Sequence, residues 1–156
     1  MRKFAANYLV SDNGIYLKNG ILVAGEDGSA IKYIDTKGDL REIAQLTFLN
    51  GILMASCTFI KTKAANSEPD QPFESIIMKS LAATTKFSIY ELIDLGKLVQ
   101  LQFPEMKIPE IMNKTTSTLQ TYGGFSMESQ SGIYLLSGAD LVNLQFTSNS
   151  RLKKIL

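Results

Sequence analysis

The sequence predicts an α+β fold: a discontinuous, β-sandwich-like sheet formed by N- and C-terminal strands, with about three helices from the middle packed on one face. Short β-branched and aromatic runs, separated by turn residues, fill the first sixty positions. Apolar residues at three- and four-residue spacing fill the middle, and apolar runs return near the C-terminus. Alternating patterns favour strands and the wider spacing favours helices, so the predicted order is β, then α, then β.

A single domain, residues 1–156, is expected. A chain of 156 residues with 45% apolar content can bury roughly 70% of its unfolded surface in one core. The pattern divides this domain into N-terminal strands (1–61), a loop (62–72), a helical segment (73–123) and returning C-terminal strands (131–156).

The N-terminal strands are predicted from three runs, "KFAANYLV", "GIYLKNGILVAG" and "AIKYIDT". They are separated by "SDNG", "KNG", "EDGS" and "TKGD", each of which offers a glycine or asparagine for a turn. The following stretch, "FLNGILMASCTFIKTK" (48–63), reads as a buried strand running into a second one. Antiparallel strands joined by tight turns are the expected arrangement of the runs before it.

The middle of the chain begins with "TKAANSEPDQP", whose small, polar and proline residues indicate a loop. Helical spacing then predicts helices over 74–86 and 89–103. The second begins with "SIYE", in which Ser88 and Glu91 form a capping box, and it ends before Pro104. A third helix has Pro109 in its first turn and stops at "YGG".

The C-terminal segment "SGIYLLSGADLVNLQF" predicts returning strands, first over Ile133 to Leu136 and then through Leu141, Leu144 and Phe146. The N-terminal strands carry apolar residues on both faces, and isolated hairpins are marginal in water. We therefore expect the strands at the two ends of the chain to share one sheet.

Composition excludes several classes of function. Sixteen basic and fifteen acidic residues give a net charge of +1 without long charged runs, so neither nucleic acid nor a membrane surface is an expected partner. The chain has no histidine and one cysteine, which removes imidazole-based triads, zinc hydrolases and internal disulfides. No stretch approaches the ~20 apolar residues of a membrane span. The protein is expected to be cytoplasmic and to use no cofactor.

The candidate reactive residues have simpler interpretations. Cys57 lies in an apolar run and is interpreted as a small buried hydrophobe. Glu68 and Asp70 fall in the loop and are expected to be solvated. "GEDG" and "DTKGD" contain oxygen ligands for calcium but lack the spacing of a calcium loop, so they are interpreted as hairpin turns. Core or interface positions are expected for all six tyrosines: Tyr8, Tyr16, Tyr33, Tyr90, Tyr122 and Tyr134.

Several segments resemble the amidohydrolases, the metal-dependent hydrolases related to cytosine deaminase and dihydroorotase. "LKNGILVAGEDGSAIKYID" is similar to their opening hairpin, and "LTFLNGILMAS" is similar to the stretch that leads into their first barrel strand. "FSIYELIDLGKLVQLQFPEMKIPEIMNKTTSTLQTYGG" resembles their last barrel helices, and "SGIYLLSGADLVNLQF" resembles their returning strand. The resemblance implies a composite β-sandwich domain whose two pieces flank an insert.

The chain departs from that family where the chemistry should be. The family carries paired metal-binding histidines after the stretch similar to "NGILMAS", whereas this chain has "CTFIKTK", and most of the barrel is missing. Lys61 and Lys63 fall near the histidine positions, but ammonium groups repel a divalent metal. No catalytic, cofactor-binding or metal-binding residue is therefore assigned.

Two functional hypotheses remain open. In the first, the protein is a non-catalytic amidohydrolase-like remnant that serves as a binding or assembly module for an unknown protein or small molecule. In the second, it is a metal-independent hydrolase-like enzyme that uses Lys61 or Lys63 with a nearby tyrosine or carboxylate. The direction of the two lysine side chains distinguishes them: inward beside an acid favours the enzyme, and outward favours the module. Loss of the barrel should also uncover apolar side chains, which makes a homodimer possible.

Overall fold

The computed structural model describes residues 1–41, 43–65 and 69–156, and it confirms the α+β class. Within these ranges the chain forms eight strands and three helices. Their bounds are β1 (Arg2–Val10), β2 (Tyr16–Lys18), β3 (Ile21–Ala24), β4 (Ala30–Ile34), β5 (Leu46–Lys61), α1 (Pro72–Ser80), β6 (Lys86–Phe87), α2 (Ile89–Gln102), α3 (Ile108–Thr121), β7 (Phe125–Ser137) and β8 (Arg151–Lys154).

The strands form one mixed sheet in the order β4-β3-β1-β5-β7-β8, with β2 paired to β1 and β6 paired to β5. β1 and β5 run parallel, whereas the β1–β3, β3–β4 and β7–β8 pairs are antiparallel. The predicted turns between the N-terminal strands are present. N- and C-terminal strands therefore share a sheet, as the sequence predicted.

The chain contains two compact units, whose boundaries fall inside β5 and β7. The first, here called the β unit, combines residues 1–56 with residues 130–156. The second, here called the helical unit, comprises residues 57–129. The composite character predicted for the strands is thus confirmed in the β unit. That the two units behave as one domain stays a prediction.

The core of the β unit draws on both ends of the chain. Ile133 and Leu135 of β7 are buried in one cluster with Phe4 of β1, Leu22 of β3 and Leu53 of β5. The backbone amide of Ile133 donates to the carbonyl of Leu156 at 2.9 Å. Burial of these distant segments against each other explains why the terminal strands associate.

β5 is one continuous strand, whereas the sequence predicted a buried strand running into a second one. The β1–β5 register shifts between Ala6 and Tyr8, and the amide of Gly51 donates to Oδ1 of Asn7 at 2.8 Å. Gly51 adopts a φ of 149°, a conformation that residues with a side chain rarely adopt. A bulge, closed by the Asn7 side chain, therefore interrupts the β1–β5 pairing without ending β5.

In the helical unit, the helix signals of the sequence are confirmed for α2 and α3. The Ser88 side chain accepts from the Glu91 amide while Glu91 accepts from the Ser88 amide, which completes the capping box. Pro109 lies in the first turn of α3. Apolar spacing predicted six inward residues for that helix, of which Tyr122 is half-buried and the other five are buried: Ile108, Ile111, Met112, Thr115 and Leu119. The three helices pack against one another.

Two predicted elements are wrong in extent or type. α1 ends at Ser80, whereas the spacing predicted a helix to residue 86, because Lys86 and Phe87 pair with β5 instead. The segment through Leu141 and Leu144 forms a turn rather than a strand. There the carboxylate of Asp140 accepts from the amides of Val142 and Asn143 at 3.0 Å, and such local bonds compete with strand pairing.

Candidate functional site

Lys61 and Lys63 follow the buried part of β5, and their side chains are exposed. The amide of Lys61 donates to the carbonyl of Thr85 at 2.8 Å, and that of Lys63 donates to the carbonyl of Gly124 at 3.1 Å. Hydrogen bonds therefore hold the backbone of both lysines against neighbouring segments, while their side chains are exposed to water. Neither lysine belongs to an ion pair found within the described ranges.

The space beside these lysines is occupied by backbone. Gly124 has a φ of 73°, and a Cβ atom at this position would collide with the carbonyl oxygen of Lys63. The hydroxyl groups of Thr62 and Ser126 lie 2.9 Å apart and form a hydrogen bond that joins the same two backbone segments. Glycine permits this close approach of two backbone segments, which a side chain at position 124 would block.

Cys57 is a free, half-buried thiol. Burial raises the pKa of this thiol, because removing it from water disfavours the thiolate. The thiol is accordingly neutral near pH 7 and a weak nucleophile.

The remaining acidic candidates do not converge. Asp27 accepts from the hydroxyl and amide of Ser29, and Asp35 accepts from the amide of Lys37, so both act inside hairpin turns. Asp70 is exposed, and Glu68 lies outside the described residues. Across the described part of the chain, no three cysteine, aspartate or glutamate side chains are grouped so as to hold a metal ion.

The tyrosines are spread over both units. Tyr90 is exposed, and the other five are half-buried. In the β unit, burial followed by the charge of Asp12 raises the pKa of Tyr33. That phenol is therefore protonated near pH 7 and does not serve as a base.

A cleft of about 540 Å³ lies entirely within the helical unit. Its walls come from the start of α1, the connection between α2 and α3, and the exposed side of α3. The lining residues are Gln71, Pro72, Phe73, Glu74, Phe103, Met106, Asn113, Lys114, Ser117 and Thr118. Its volume is in the range of small-molecule sites, about 300 to 1,000 Å³.

Two aromatic rings and one ammonium group define the chemistry of the cleft. The ring centroids of Phe73 and Phe103 are 5.6 Å apart. Nζ of Lys114 lies 5.7 Å from the centroid of Phe73 and 3.4 Å from Oε1 of Glu110. The exposed ammonium group is thus held near the ring of Phe73. Because Phe73 is only 7% exposed, the half-buried Phe103 presents more of the aromatic surface.

Hydrogen bonds fix the frame of the cleft. Nε2 of Gln100, on α2, donates to the carbonyl of Met106 at 2.6 Å and holds the α2–α3 connection. The hydroxyl of Thr118 donates to the carbonyl of Lys114 at 2.7 Å, inside α3. These bonds keep the walls in place and leave the amide of Asn113 and the hydroxyl of Ser117 on the lining.

The lining of the cleft carries few ionisable groups. Its lining includes one carboxylate, Glu74, and one ammonium group, Lys114, but no thiol. Hydroxyl groups come from Ser117 and Thr118, and the Thr118 hydroxyl donates to the carbonyl of Lys114 within α3. A surface that combines aromatic, amide and hydroxyl groups can hold a planar ligand and orient its polar edge.

Comparison of the chain with models of protein families, with curated proteins and with solved structures finds no match. The likeness to amidohydrolases accordingly depends on the sequence segments quoted above. None of the helices in the described part of the chain combines the length and the apolar character needed to cross a bilayer.

Proposed function

We propose that the protein is a non-catalytic, amidohydrolase-like binding or assembly module, with its ligand-binding capacity in the cleft of the helical unit. The observation that carries this proposal is the outward direction of Lys61 and Lys63. A lysine activated for catalysis is desolvated or placed beside another charge. These two side chains are exposed and belong to none of the ion pairs formed among residues 1–41, 43–65 and 69–156.

The cleft supports the binding half of the proposal. Phe103, which is half-buried, and the small exposed part of Phe73 supply apolar area, and Lys114, Asn113 and Ser117 supply donors. The best-matched ligand is a small molecule with a planar apolar body and an anionic or hydrogen-bonding edge. Its body would lie against the rings, and its polar edge would point to Lys114.

A thermal-shift screen with a library of small metabolites tests this assignment. A ligand that binds only the folded state raises the unfolding temperature in proportion to its saturation. Lys114→Met should weaken binding of an anionic hit about tenfold or more, because hydrogen bonds to charged groups contribute about 1.5 to 3 kcal/mol. Lys79→Met provides the matched control, since Lys79 is an exposed lysine of α1 that does not line the cleft.

The enzyme hypothesis gives a different pattern. If Lys61 or Lys63 carried out a reaction, Lys61→Met or Lys63→Met would abolish consumption of a ligand while leaving its affinity near that of the native protein. Equal effects of Lys114→Met and Lys79→Met on all hits would contradict the assignment of binding to the cleft.

A further inference from the structure

The outer face of α2 exposes three large apolar side chains. Leu101 is 78% exposed, Leu98 47% and Tyr90 44%. The opposite face of the same helix buries Leu92, Ile93 and Val99 in the helical unit, so α2 is apolar on both sides. Elsewhere, large exposed apolar side chains such as Ile31 and Val142 lie on separate strands and loops.

These apolar residues form a continuous surface together with two charges. Positions 90, 94, 97, 98 and 101 recur every three or four residues, so they share one side of a helix. Asp94 is exposed between Tyr90 and Leu98, and Lys97 is half-buried at the border of the surface. We call this set the α2 face: Tyr90, Asp94, Lys97, Leu98 and Leu101.

The α2 face is complementary to itself when two helices run antiparallel. A two-fold axis that passes between positions 95 and 96 brings position 90 opposite 101 and position 94 opposite 97. Tyr90 of one copy then meets Leu101 of the other, and Asp94 meets Lys97, while both copies of Leu98 flank the axis. Each apolar contact and each opposite-charge contact occurs twice, as an isologous interface requires.

We infer that the α2 face binds a second copy of this chain in an antiparallel, two-fold arrangement of the two α2 helices. This inference rests on the assembly half of the proposed function and names its surface. The α2 face covers about three turns of one helix. The area that two such faces can bury is smaller than the ~1,200 Å² typical of stable interfaces. The dimer is accordingly weak, with a dissociation constant in the micromolar range or above.

A concentration series of the full chain by sedimentation velocity tests the dimer. The weight-average mass should rise towards twice the chain mass between about 10 µM and 1 mM, a range set by the weak affinity inferred from interface size. Leu101→Glu should raise the dissociation constant at least tenfold. Val142→Glu is the matched control, because Val142 is 91% exposed but lies on a turn of the β unit, and it should leave association unchanged.

Charge exchange tests the antiparallel geometry itself. Asp94→Lys places two lysines opposite each other in its homodimer, and Lys97→Asp does the same with two aspartates. Each variant alone should dimerise more weakly than the native chain. Mixed in equal amounts, they should form a heterodimer at least tenfold tighter than either homodimer, because both charge pairs are then attractive.

Circular dichroism first establishes that each variant keeps the native fold. A native chain that stays monomeric at 1 mM would overturn the inference, as would a dimer that Leu101→Glu leaves intact or a mixture no tighter than the two separate variants. Because Lys114 is not part of the α2 face, the metabolite screen gives its result independently. Failure of dimerisation is therefore distinguishable from failure of ligand binding.

Discussion

The β unit and the helical unit use their apolar residues differently. All four residues of β3 in the β unit are buried, and its core cluster joins strands from both ends of the chain. In the helical unit, α2 buries one side and exposes Tyr90, Leu98 and Leu101 on the other. The difference lies in how the apolar side chains are distributed. The β unit buries strands from both chain ends in one core, and its exposed apolar side chains, such as Ile31 and Val142, lie on separate elements, whereas α2 of the helical unit carries apolar residues on both of its sides.

The largest expected effect comes from removing the C-terminal part of the β unit. Deleting residues 130–156 takes away Ile133 and Leu135, which are buried with Phe4 and Leu53. Cooperative thermal unfolding, followed by circular dichroism, should be lost. Ile133→Ala should reduce the free energy of unfolding by about 2 to 5 kcal/mol. A fragment 1–129 with a native-like cooperative transition would show that the two chain ends do not form one core.

A glycine substitution tests the bulge of the β unit, and its expected effect on stability is smaller than that of the deletion. In Gly51→Ala the new methyl group would meet the carbonyl of Leu136, and the φ of 149° would be strained, so a loss of about 3 kcal/mol is expected. Gly38→Ala is the control, because its nearest neighbour would be Cδ of Lys18 at 3.9 Å. That change should cost about 1 kcal/mol, from the left-handed backbone alone. Equal losses in urea denaturation would remove the structural role assigned to the bulge.

The capping box makes the corresponding prediction for the helical unit. Ser88→Ala removes the acceptor for the Glu91 amide at the start of α2 and should destabilise the protein by about 1 kcal/mol. Ser88→Gly should lower the stability by only a few tenths of a kcal/mol, because water can then reach the amide of Glu91. The ranking Ala worse than Gly, measured by denaturant titration, identifies a cap; the reverse ranking would argue against one.

The smallest effect concerns a charged turn of the β unit. The hydroxyl and the amide of Ser29 donate to Asp27 and lower the pKa of its carboxyl group. Because the folded-state pKa is depressed, the stabilisation is present above the unfolded pKa of about 3.9 and is lost as the pH falls through the folded value. A carboxyl NMR titration should show the lowered pKa, and Ser29→Ala should move it back towards the ordinary value. An unchanged pKa in that variant would exclude the hydroxyl as the main cause.

Local signals in the sequence predicted many of the turns and helix ends in the two units. The capping box at Ser88, the proline of α3 and the glycine turns are short-range patterns, and each appears where it was predicted. The segment around Leu141 was misread because the carboxylate of Asp140 binds nearby amides, which apolar spacing does not reveal. α1 was predicted too long because the pairing of Phe87 with Phe59 depends on a strand far away in the chain.

The cleft could not be predicted in the same way. Phe73, Phe103 and Lys114 come from separate segments, and only the packing of α1, α2 and α3 brings them together. Composition alone excluded imidazole-based chemistry, since the chain has no histidine. Apolar spacing did separate the two sides of α2. The residues it placed inward, Ile89, Leu92, Ile93, Gly96 and Val99, are buried, Phe103 is half-buried, and the exposed Leu98 and Leu101 were not among them.

Binding without turnover is the central claim, and mass balance tests it most directly. The protein is incubated for a day with the pooled metabolite library, and every component is quantified by mass spectrometry in the protein-bound and free fractions. The account predicts that bound compounds are recovered chemically unchanged and that Lys114→Met releases them, whereas Lys61→Met and Lys63→Met have no effect. Consumption of a compound by the native protein, abolished by either Lys61→Met or Lys63→Met, would contradict it.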